Sequence, residues 1–271
     1  MAQAFQSFAD ETLGIDPSGF TSRWAHPDNS EGIVNTSADG LAATEQEQLG
    51  PNAWKFVEAA SGAPRVCFEK DSLSGTTDDE IEALLHLSKN DNRHIGLLVL
   101  RGSGTTEAGR SGYALYIRPQ TNWFEIRRTT SGSESTVASG TLNYGGHGII
   151  RVRYAANENG SGNLVMSAEA WPYDDEALKV ALAYTDTSKM SPGFLGLGSV
   201  NLAVAGTITY WGWVGFGTDG DPAPTGPVGV SEEPFRLRHN PRTNKVIPVL
   251  SSPTVTDIGA NCVRPRVSKG F

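Results

Sequence analysis

The sequence predicts an all-β fold, a large sandwich of strands followed by an extended C-terminal arm. Three observations carry this prediction: apolar and polar residues alternate with a period of two, Gly-rich turns separate the alternating runs, and a proline-rich stretch follows the last long run. Alternation is typical of strands, whereas a surface helix has a period near 3.6 residues. With 31 Gly and 15 Pro in 271 residues, the chain has many turn residues and no helix-rich layer for an α/β fold.

The strands are predicted from the alternating runs in chain order. The clearest runs are 54–58, 65–69, 95–101, 112–118, 149–154 and the aromatic-rich run that begins at Ile208. The turn clusters between them are 102–106, 130–133, 145–148 and 157–162. Their Gly, Ser, Asn and Asp residues tolerate positive φ or bond to their own backbone. About ten to fourteen strands separated by such turns are typical of a jelly roll or sandwich.

Residues 78–87 satisfy two patterns. Their acidic start and good helix formers favour a helix by propensity alone. Against this, Ile81, Ala83 and Leu85 alternate as one strand face, and the following run 95–101 reads as a buried strand. We therefore predict a strand here.

Bulk composition limits the partners and the compartment. A net charge of −8 argues against a nucleic-acid partner, because binding to phosphates needs clustered Lys and Arg. The N-terminus lacks the features of a secretory signal and no run is long enough to span a membrane, so we expect a soluble protein made in a cytoplasm. Cys67 and Cys262 have no metal-ligand spacing, and we expect both to be reduced.

Three segments carry a family resemblance. The closing run 208–221, together with the opening blocks 5–14 and 17–24, resembles the last and first strands of concanavalin-like (laminin-G-like) jelly-roll domains of bacteriophage virion proteins. The resemblance covers roughly residues 5–221. It implies a non-enzymatic structural protein of a tailed-phage virion, either a tail fibre or tail-associated attachment protein or a head-decorating protein. Its location would be the virion, and its partners copies of itself and other virion proteins.

The domain organisation follows from the change in composition after Asp221. We predict a sandwich over 1–221, a Pro/Gly linker over 222–230 and an extended arm over 231–271. Residues 246–259 resemble the first strand of the immunoglobulin-like modules that often follow such sandwiches in phage fibres. An apolar arm without its own sheet is expected to pack on the parent domain or on a neighbouring subunit. The predicted assembly residues are Arg236, Arg238, Arg242, Val246, Ile247, Val249, Leu250, Val255 and Ile258.

The alternative function is carbohydrate binding, with a bacterial surface polysaccharide as the ligand. Sugar rings stack on exposed aromatic side chains while nearby polar groups bond the hydroxyls. Trp123, beside a predicted tight turn, and Trp171 with Tyr173, in a predicted loop around Pro172, are the candidate stacking residues. Ordinary packing or a subunit contact is the competing interpretation of the same residues.

A third possibility is a glycoside hydrolase, because several such enzymes share this sandwich and use two carboxylates. Glu80 and Glu82 lie two residues apart and so on one face of a strand. The laminarinase-type pattern Glu-x-Asp-x-x-Glu is only partly met, since Glu82 replaces the Asp and Leu85 replaces the last acid. We therefore predict no enzymatic activity and interpret the two acids as a solvated strand edge.

No cofactor is predicted, and one metal site is left open. Asp219 and Asp221 flank a glycine at the end of the sandwich and could supply oxygen ligands to calcium. Two acids in a Gly turn are more often a turn-capping pair, and this is the favoured interpretation. The five histidines show no metal-binding spacing.

Overall fold

The computed structural model describes most of the first 226 residues and two short strands beyond them. The described residues are 2–24, 30–58, 65–71, 73–87, 94–106, 108–118, 123–142, 148–201, 207–226, 237–240 and 245–248. The chain divides into two compact units, Met1–Val228 and Gly229–Phe271. Within the described residues, no helix has the length and apolar character needed to cross a bilayer.

The first unit is built from strands, with one short α-helix. Its strands are β1 (Ala2–Ser7), β2 (Phe20–Ser22), β3 (Ser30–Asn35), β4 (Asn52–Glu58), β5 (Arg65–Lys70), β6 (Asp78–Leu87), β7 (His94–Ser103), β8 (Ser111–Arg118), β9 (Trp123–Thr130), β10 (Ser133–Thr141), β11 (Ile149–Glu158), β12 (Leu164–Pro172), β13 (Val180–Asp186), β14 (Phe194–Asn201) and β15 (Thr207–Thr218). The helix α1 spans Ala43–Leu49, and a 3-10 turn spans Glu176–Leu178.

The strands form two antiparallel sheets. Sheet A has the order β13-β12-β11-β6-β15-β4-β3, and β1 pairs with the C-terminal half of β15. Sheet B has the order β10-β9-β8-β7-β14-β5-β2. Every one of the alternating runs predicted as a strand lies within one of these strands, so the predicted all-β sandwich is confirmed.

The core lies between the two sheets. From the central strand β6, Ile81, Ala83 and Leu85 face inward and meet inward residues of sheet B such as Leu98 and Leu115. All are fully buried, and burial of an Ile or Leu side chain contributes about 1.5–3 kcal/mol. This burial overrides the helix propensity of residues 78–87, and the predicted strand there is confirmed.

Strand β6 corrects the prediction of a solvated strand edge at Glu80 and Glu82. It is a central strand, hydrogen-bonded to β11 on one side and to β15 on the other. Both acids project from the outer face of sheet A, the face turned away from sheet B. Glu82 has no exposed surface and Glu80 is half-buried. The acids therefore do not protect an edge.

The first residues of the predicted linker lie against the sandwich. The backbone amide of Ala223 donates to the Glu80 carboxylate at 3.1 Å. Gly215 and Gly217 of β15 leave the space for this covering segment (residues 221–226), because a Cβ at either position would overlap a carbonyl oxygen of the segment. As far as Gly226, the predicted linker therefore packs on the first unit.

The second unit contains one described hairpin. β16 (Leu237–Asn240) pairs antiparallel with β17 (Lys245–Pro248). The predicted arm had no strand partner of its own, so this pairing differs from the expectation. Of the predicted assembly residues, Arg238 lies on β16 and Val246 and Ile247 lie on β17. The others, Arg236, Arg242, Val249, Leu250, Val255 and Ile258, fall outside the described residues, and the assembly role stays a prediction.

Candidate functional site

A short helix on the outer face of sheet A forms one wall of the candidate site. The sequence Ala-Thr-Glu-Gln-Glu-Gln-Leu of α1 contains good helix formers. Glu45, in the first turn, accepts a hydrogen bond from the backbone amide of Ala42 at 2.9 Å, which satisfies a donor that the helix leaves open. Gly50 ends the helix with a φ of 95°. The sequence analysis missed α1 because seven residues show too little periodicity.

Because Gly212 of β15 has no side chain, the helix α1 can lie close to the sheet. Gly212 lies at the β-bulge of β15, between Trp211, which faces the core, and Trp213, which faces outward. A Cβ at Gly212 would lie 3.0 Å from a methyl carbon of Leu49 and 3.1 Å from the Leu49 carbonyl oxygen. The bulge and the glycine together let α1 approach the sheet closely.

Beside α1, a cleft of about 330 Å³ opens on the outer face of sheet A. A volume of this order is at the lower end of the range for small-molecule sites. The loop before α1, the helix itself, β6 and β15 supply its lining. The lining residues are Asp39, Gly40, Leu41, Ala42, Glu45, His86 and Tyr210.

Asp39 is fixed on one side of the cleft by two donors. It accepts a hydrogen bond from the Tyr210 hydroxyl at 2.6 Å and forms an ion pair with the Lys55 ammonium at 2.7 Å. The same ammonium lies 5.8 Å from the centroid of the Tyr210 ring. Burial, and next the bond to Asp39, raise the pKa of the Tyr210 hydroxyl. Tyr210 therefore remains a neutral donor to Asp39 at physiological pH.

Glu45 is fixed on the other side by a histidine. Its carboxylate lies 3.1 Å from Nε2 of His86, a buried residue of β6. The His86 ring in turn lies 5.5 Å from the ring of Tyr210. The cleft thus presents two carboxylates, both still partly exposed, whose positions are set by neighbouring side chains. Because His86 and Tyr210 are far in sequence from Asp39 and Glu45, and the four residues match no motif, sequence reasoning did not find them.

Trp171 is placed differently from the prediction. It lies within β12, not in a loop, and only 4% of its surface is exposed. The Lys179 ammonium lies 4.4 Å and the Arg151 guanidinium 5.4 Å from its ring centroid. The prediction of an exposed Trp171 was wrong, because strand β12 continues through Pro172 and two cations pack on the indole.

Trp123 is partly exposed on the outer face of sheet B, at the start of β9. The guanidinium groups of Arg118 and Arg127 lie 4.8 and 5.2 Å from its ring centroid, and the Tyr116 ring meets it edge-on at 6.3 Å. The indole already has cation–π partners. Its contact with a sugar stays a prediction.

Tyr173 lies just after β12 and packs on the outer face of sheet A, beside the cleft. It is partly buried and packs against the outward-facing cluster that includes Leu49, Ile149 and Tyr210. Its backbone amide donates to the carbonyl of Ile149 at 3.1 Å. The structure therefore does not join Trp123, Trp171 and Tyr173 in one site, and only Tyr173 shares packing with the cleft.

Asp219 and Asp221 form a turn that meets the start of β6. Asp219 has a φ of 59°, and its amide donates to the Thr76 hydroxyl at 2.9 Å. The Asp221 amide donates to the Thr218 carbonyl at 3.2 Å. Among the residues that the structure describes, no three His, Cys, Asp or Glu side chains gather at a metal-binding distance. The calcium prediction therefore gains no third acidic side chain in that part of the chain, and it stays a prediction.

Glu80 and Glu82 do not form an accessible catalytic pair. Arg151 donates to Glu82 at 2.6 Å and Arg153 donates to it at 2.7 Å. Burial raises the pKa of Glu80, although the hydrogen bond from Ala223 opposes the shift. A carboxylate that is fully buried beneath two arginines has no path to a substrate.

Cys67 is free and fully buried, as expected. Burial raises the pKa of its thiol well above the usual value. A buried thiol of this kind packs as a small apolar side chain. Cys262 lies outside the described residues.

Comparison with solved structures identifies the architecture. The VIP36 exoplasmic/lumenal domain in its Ca²⁺/Man2-bound form matches with a TM-score of 0.50 and 9% identity, over 91% of this chain and 95% of that one. Its metal-free form also gives a TM-score of 0.50, with 8% identity over 91% and 96% of the two chains. The cellulose-induced protein Cip1 matches with a TM-score of 0.50 and 13% identity, over 82% and 100%.

These matches confirm the predicted concanavalin-like jelly roll as the fold. No protein-family model and no curated protein sequence matches the chain. At such low identity the likeness shows the fold alone and assigns no residue of the site.

Proposed function

We propose that this protein is a carbohydrate-binding protein and that the cleft beside α1 holds the sugar. The observation that carries the proposal is the arrangement of Asp39 and Glu45, two carboxylates held at the rim of a cleft by Tyr210, Lys55 and His86. A carboxylate oxygen accepts more than one hydrogen bond, so each can bind a sugar hydroxyl in addition to its protein partner. The cleft therefore has groups that suit a polyhydroxylated ligand.

The fold supports the same conclusion. The VIP36 domain of the same architecture carries Ca²⁺ and Man2 in one of the matched structures. A jelly roll is a rigid scaffold, and binding residues on such a scaffold lose little conformational entropy when a ligand arrives. Here α1 and the loop before it, on the outer face of sheet A, provide most of the lining.

The proposed function is non-catalytic. The Glu80–Glu82 pair, which the hydrolase hypothesis requires, is enclosed by Arg151, Arg153 and the covering segment. Incubation with a bound polysaccharide should therefore release no new reducing ends. Release that is lost in Glu82→Gln would restore the hydrolase hypothesis.

The experiment is binding of the full chain to an array of bacterial and synthetic glycans. Binding should be lost in Asp39→Asn and in Glu45→Gln, because each change removes a charged acceptor from the cleft. Glu47→Gln is the matched control: Glu47 lies on the same helix, is exposed and does not line the cleft. Binding that persists in both cleft variants would reject this site.

The virion role stays a prediction from sequence. Nothing in the described residues or in the matched structures indicates a bacteriophage protein. A virion attachment protein could bind a surface polysaccharide, and the same glycan array tests whether this protein binds one.

A further inference from the structure

The four end strands of the two sheets differ in how their outer edges are protected. In sheet A the edge of β3 is covered, because the Gly14 amide donates to the Ile33 carbonyl and the Ile33 amide donates to the Ile15 carbonyl, at 2.8 and 2.9 Å. In sheet B, β2 has only 3 residues, and β10 is interrupted by a bulge between Thr136 and Ala138. A covering loop, a short strand and a bulge each prevent another strand from pairing.

The fourth end strand, β13, has none of these features. It pairs with β12 over 7 residues without an irregularity. Within the described residues, no other segment makes a backbone hydrogen bond along its outer side, which we call the open edge. The sequence of β13 contains no proline or lysine, and its first six residues carry no charge. A straight, uncharged edge of this kind is suited to pair with another strand.

The side chains of β13 offer apolar surface to such a strand. Val180, Leu182 and Tyr184 pack against the core but are only partly buried, because β13 is the last strand of sheet A. On the outer face, Ala181 and Ala183 are exposed and small. A strand added at the open edge would therefore bury more of the inward residues without meeting a bulky or charged side chain.

The neighbouring end of sheet B extends this uncharged surface. β10 lies beside β13, since a Cβ at Gly140 would come within 2.8 Å of a methyl carbon of Leu182. Residues 135–141 of β10, like residues 180–185 of β13, carry no charged side chain. An oppositely charged partner would find no charges to pair with on these two stretches. A second copy of the chain, whose net charge is also −8, would meet no like charge there.

We propose that two copies of this chain pair through their open edges, β13 against β13 in antiparallel orientation, about a twofold axis perpendicular to sheet A. With Ala183 opposite its own counterpart, Leu182 comes to lie opposite Tyr184 on the inner face. Ala181 and Thr185 then lie opposite each other on the outer face. Such cross-strand pairs stabilise a sheet, and the same surface meets itself, as a closed twofold assembly requires.

The pairing bears on recognition without depending on it. Because the axis is perpendicular to the sheet, the outer faces of both copies lie on the same side of the dimer, and so do the two clefts beside α1. Two sites that face one polysaccharide bind it with higher overall avidity than a single site. The assembly differs from the one predicted from sequence, which uses the C-terminal arm.

The test is sedimentation velocity of the full chain over a range of concentrations, without sugar. The variants are Ala183→Lys and Ala183→Glu, each alone and as an equal mixture. Either variant alone places two like charges opposite each other across the axis, and we expect the dissociation constant to rise about tenfold. The mixture places opposite charges there and should restore the dimer.

Ser167→Lys is the matched control. Ser167 is exposed and lies opposite Ala183 on β12, so it is one strand further from the axis in each copy. Two added charges at this position would be about 14 Å apart across the dimer, beyond the screening length at physiological salt. Thermal unfolding checks that every variant is folded.

The expected result is a dimer for the parent chain and for Ser167→Lys, weaker association of each Ala183 variant, and recovery in the mixture. A parent chain that is monomeric at every concentration overturns the pairing. So does association that is unchanged in both Ala183 variants, that is weakened equally in Ser167→Lys, or that the mixture does not restore. Because no sugar is present, each of these failures leaves the proposed function standing.

Discussion

At the centre of the outer face of sheet A, Glu82 is enclosed by two arginines, whereas at one end of the same face Asp39 and Glu45 border an open cleft. Glu82 has no exposed surface and bonds Arg151 and Arg153. The side chains of Asp39 and Glu45 remain 21% and 13% exposed. One face of one sheet thus carries acids with two different environments.

The difference lies in how deeply the acids are buried and in what covers them. Two guanidinium groups pair with the Glu82 carboxylate. The covering segment lies beside them, and its Ala223 amide donates a hydrogen bond to Glu80. At the cleft Lys55 pairs with Asp39 and His86 lies beside Glu45, and both carboxylates keep some exposed surface. A buried and fully paired acid serves structure, whereas a positioned acid at an opening can serve recognition.

The largest expected effect follows from breaking the enclosed group. Glu82→Ala leaves Arg151 and Arg153 without their shared partner, and removing one member of a buried pair costs about 3–5 kcal/mol of unfolding free energy. Urea denaturation measures the change. Glu169→Ala is the matched control on the same face: its ion pairs with Arg153 and Lys179 are long and partly exposed, so its loss should stay below about 1 kcal/mol. Equal losses in both variants would remove the distinction between enclosed and open acids.

The second effect is a pH dependence of stability caused by Asp79 of β6, whose burial is only partly offset by hydrogen bonds to its carboxylate. Asp79 is 1% exposed, and burial, partly opposed by the bonds from Thr76, raises its pKa to about 6. Because this pKa lies above the unfolded value of 3.8, the native state binds the proton more tightly, and unfolding free energy should fall as pH rises from about 4 to 6.

Asp79→Asn should remove that fall. The amide oxygen can still accept the bonds from Thr76, so the variant should be more stable than the parent protein at pH 8 by about 1–3 kcal/mol and no more stable at pH 4. Thermal unfolding of both proteins across this pH range checks the prediction. An Asn variant that is less stable at pH 8 would show that the ionised Asp79 is well paired in the native state.

Substitution of Gly212, against which α1 packs, should lower stability by a smaller amount and clearly weaken glycan binding. Gly212→Ala places a Cβ within 3.0 to 3.3 Å of Leu49, so the helix must shift by a few tenths of an ångström. We expect a loss of about 1 kcal/mol and a loss of glycan affinity, because α1 carries Glu45. Gly160→Ala is the control, since its Cβ would meet open space. Unchanged affinity in a folded Gly212→Ala would mean that the position of α1 does not matter to the site.

The sequence predicted the strands more fully than the site, for physical reasons. Alternation marks each strand wherever one face is buried, and even the ambiguous residues 78–87 followed it. The cleft residues Asp39 and Tyr210 are 171 positions apart and meet only because β15 crosses the sheet beside β6 and β4. No spacing rule contains that information. Trp171 was misjudged because a following Pro suggested a loop, while Lys179 and Arg151 in fact cover its ring.

The most direct test of carbohydrate binding at the cleft is a heteronuclear NMR titration of the full chain with a sugar that binds on the array. The account predicts shifts of the amide signals of Gly40, Leu41, Ala42 and Glu45, with the indole signals of Trp123 and Trp171 unchanged. Shifts at either indole with unchanged cleft amides would contradict it and place the sugar at a tryptophan site.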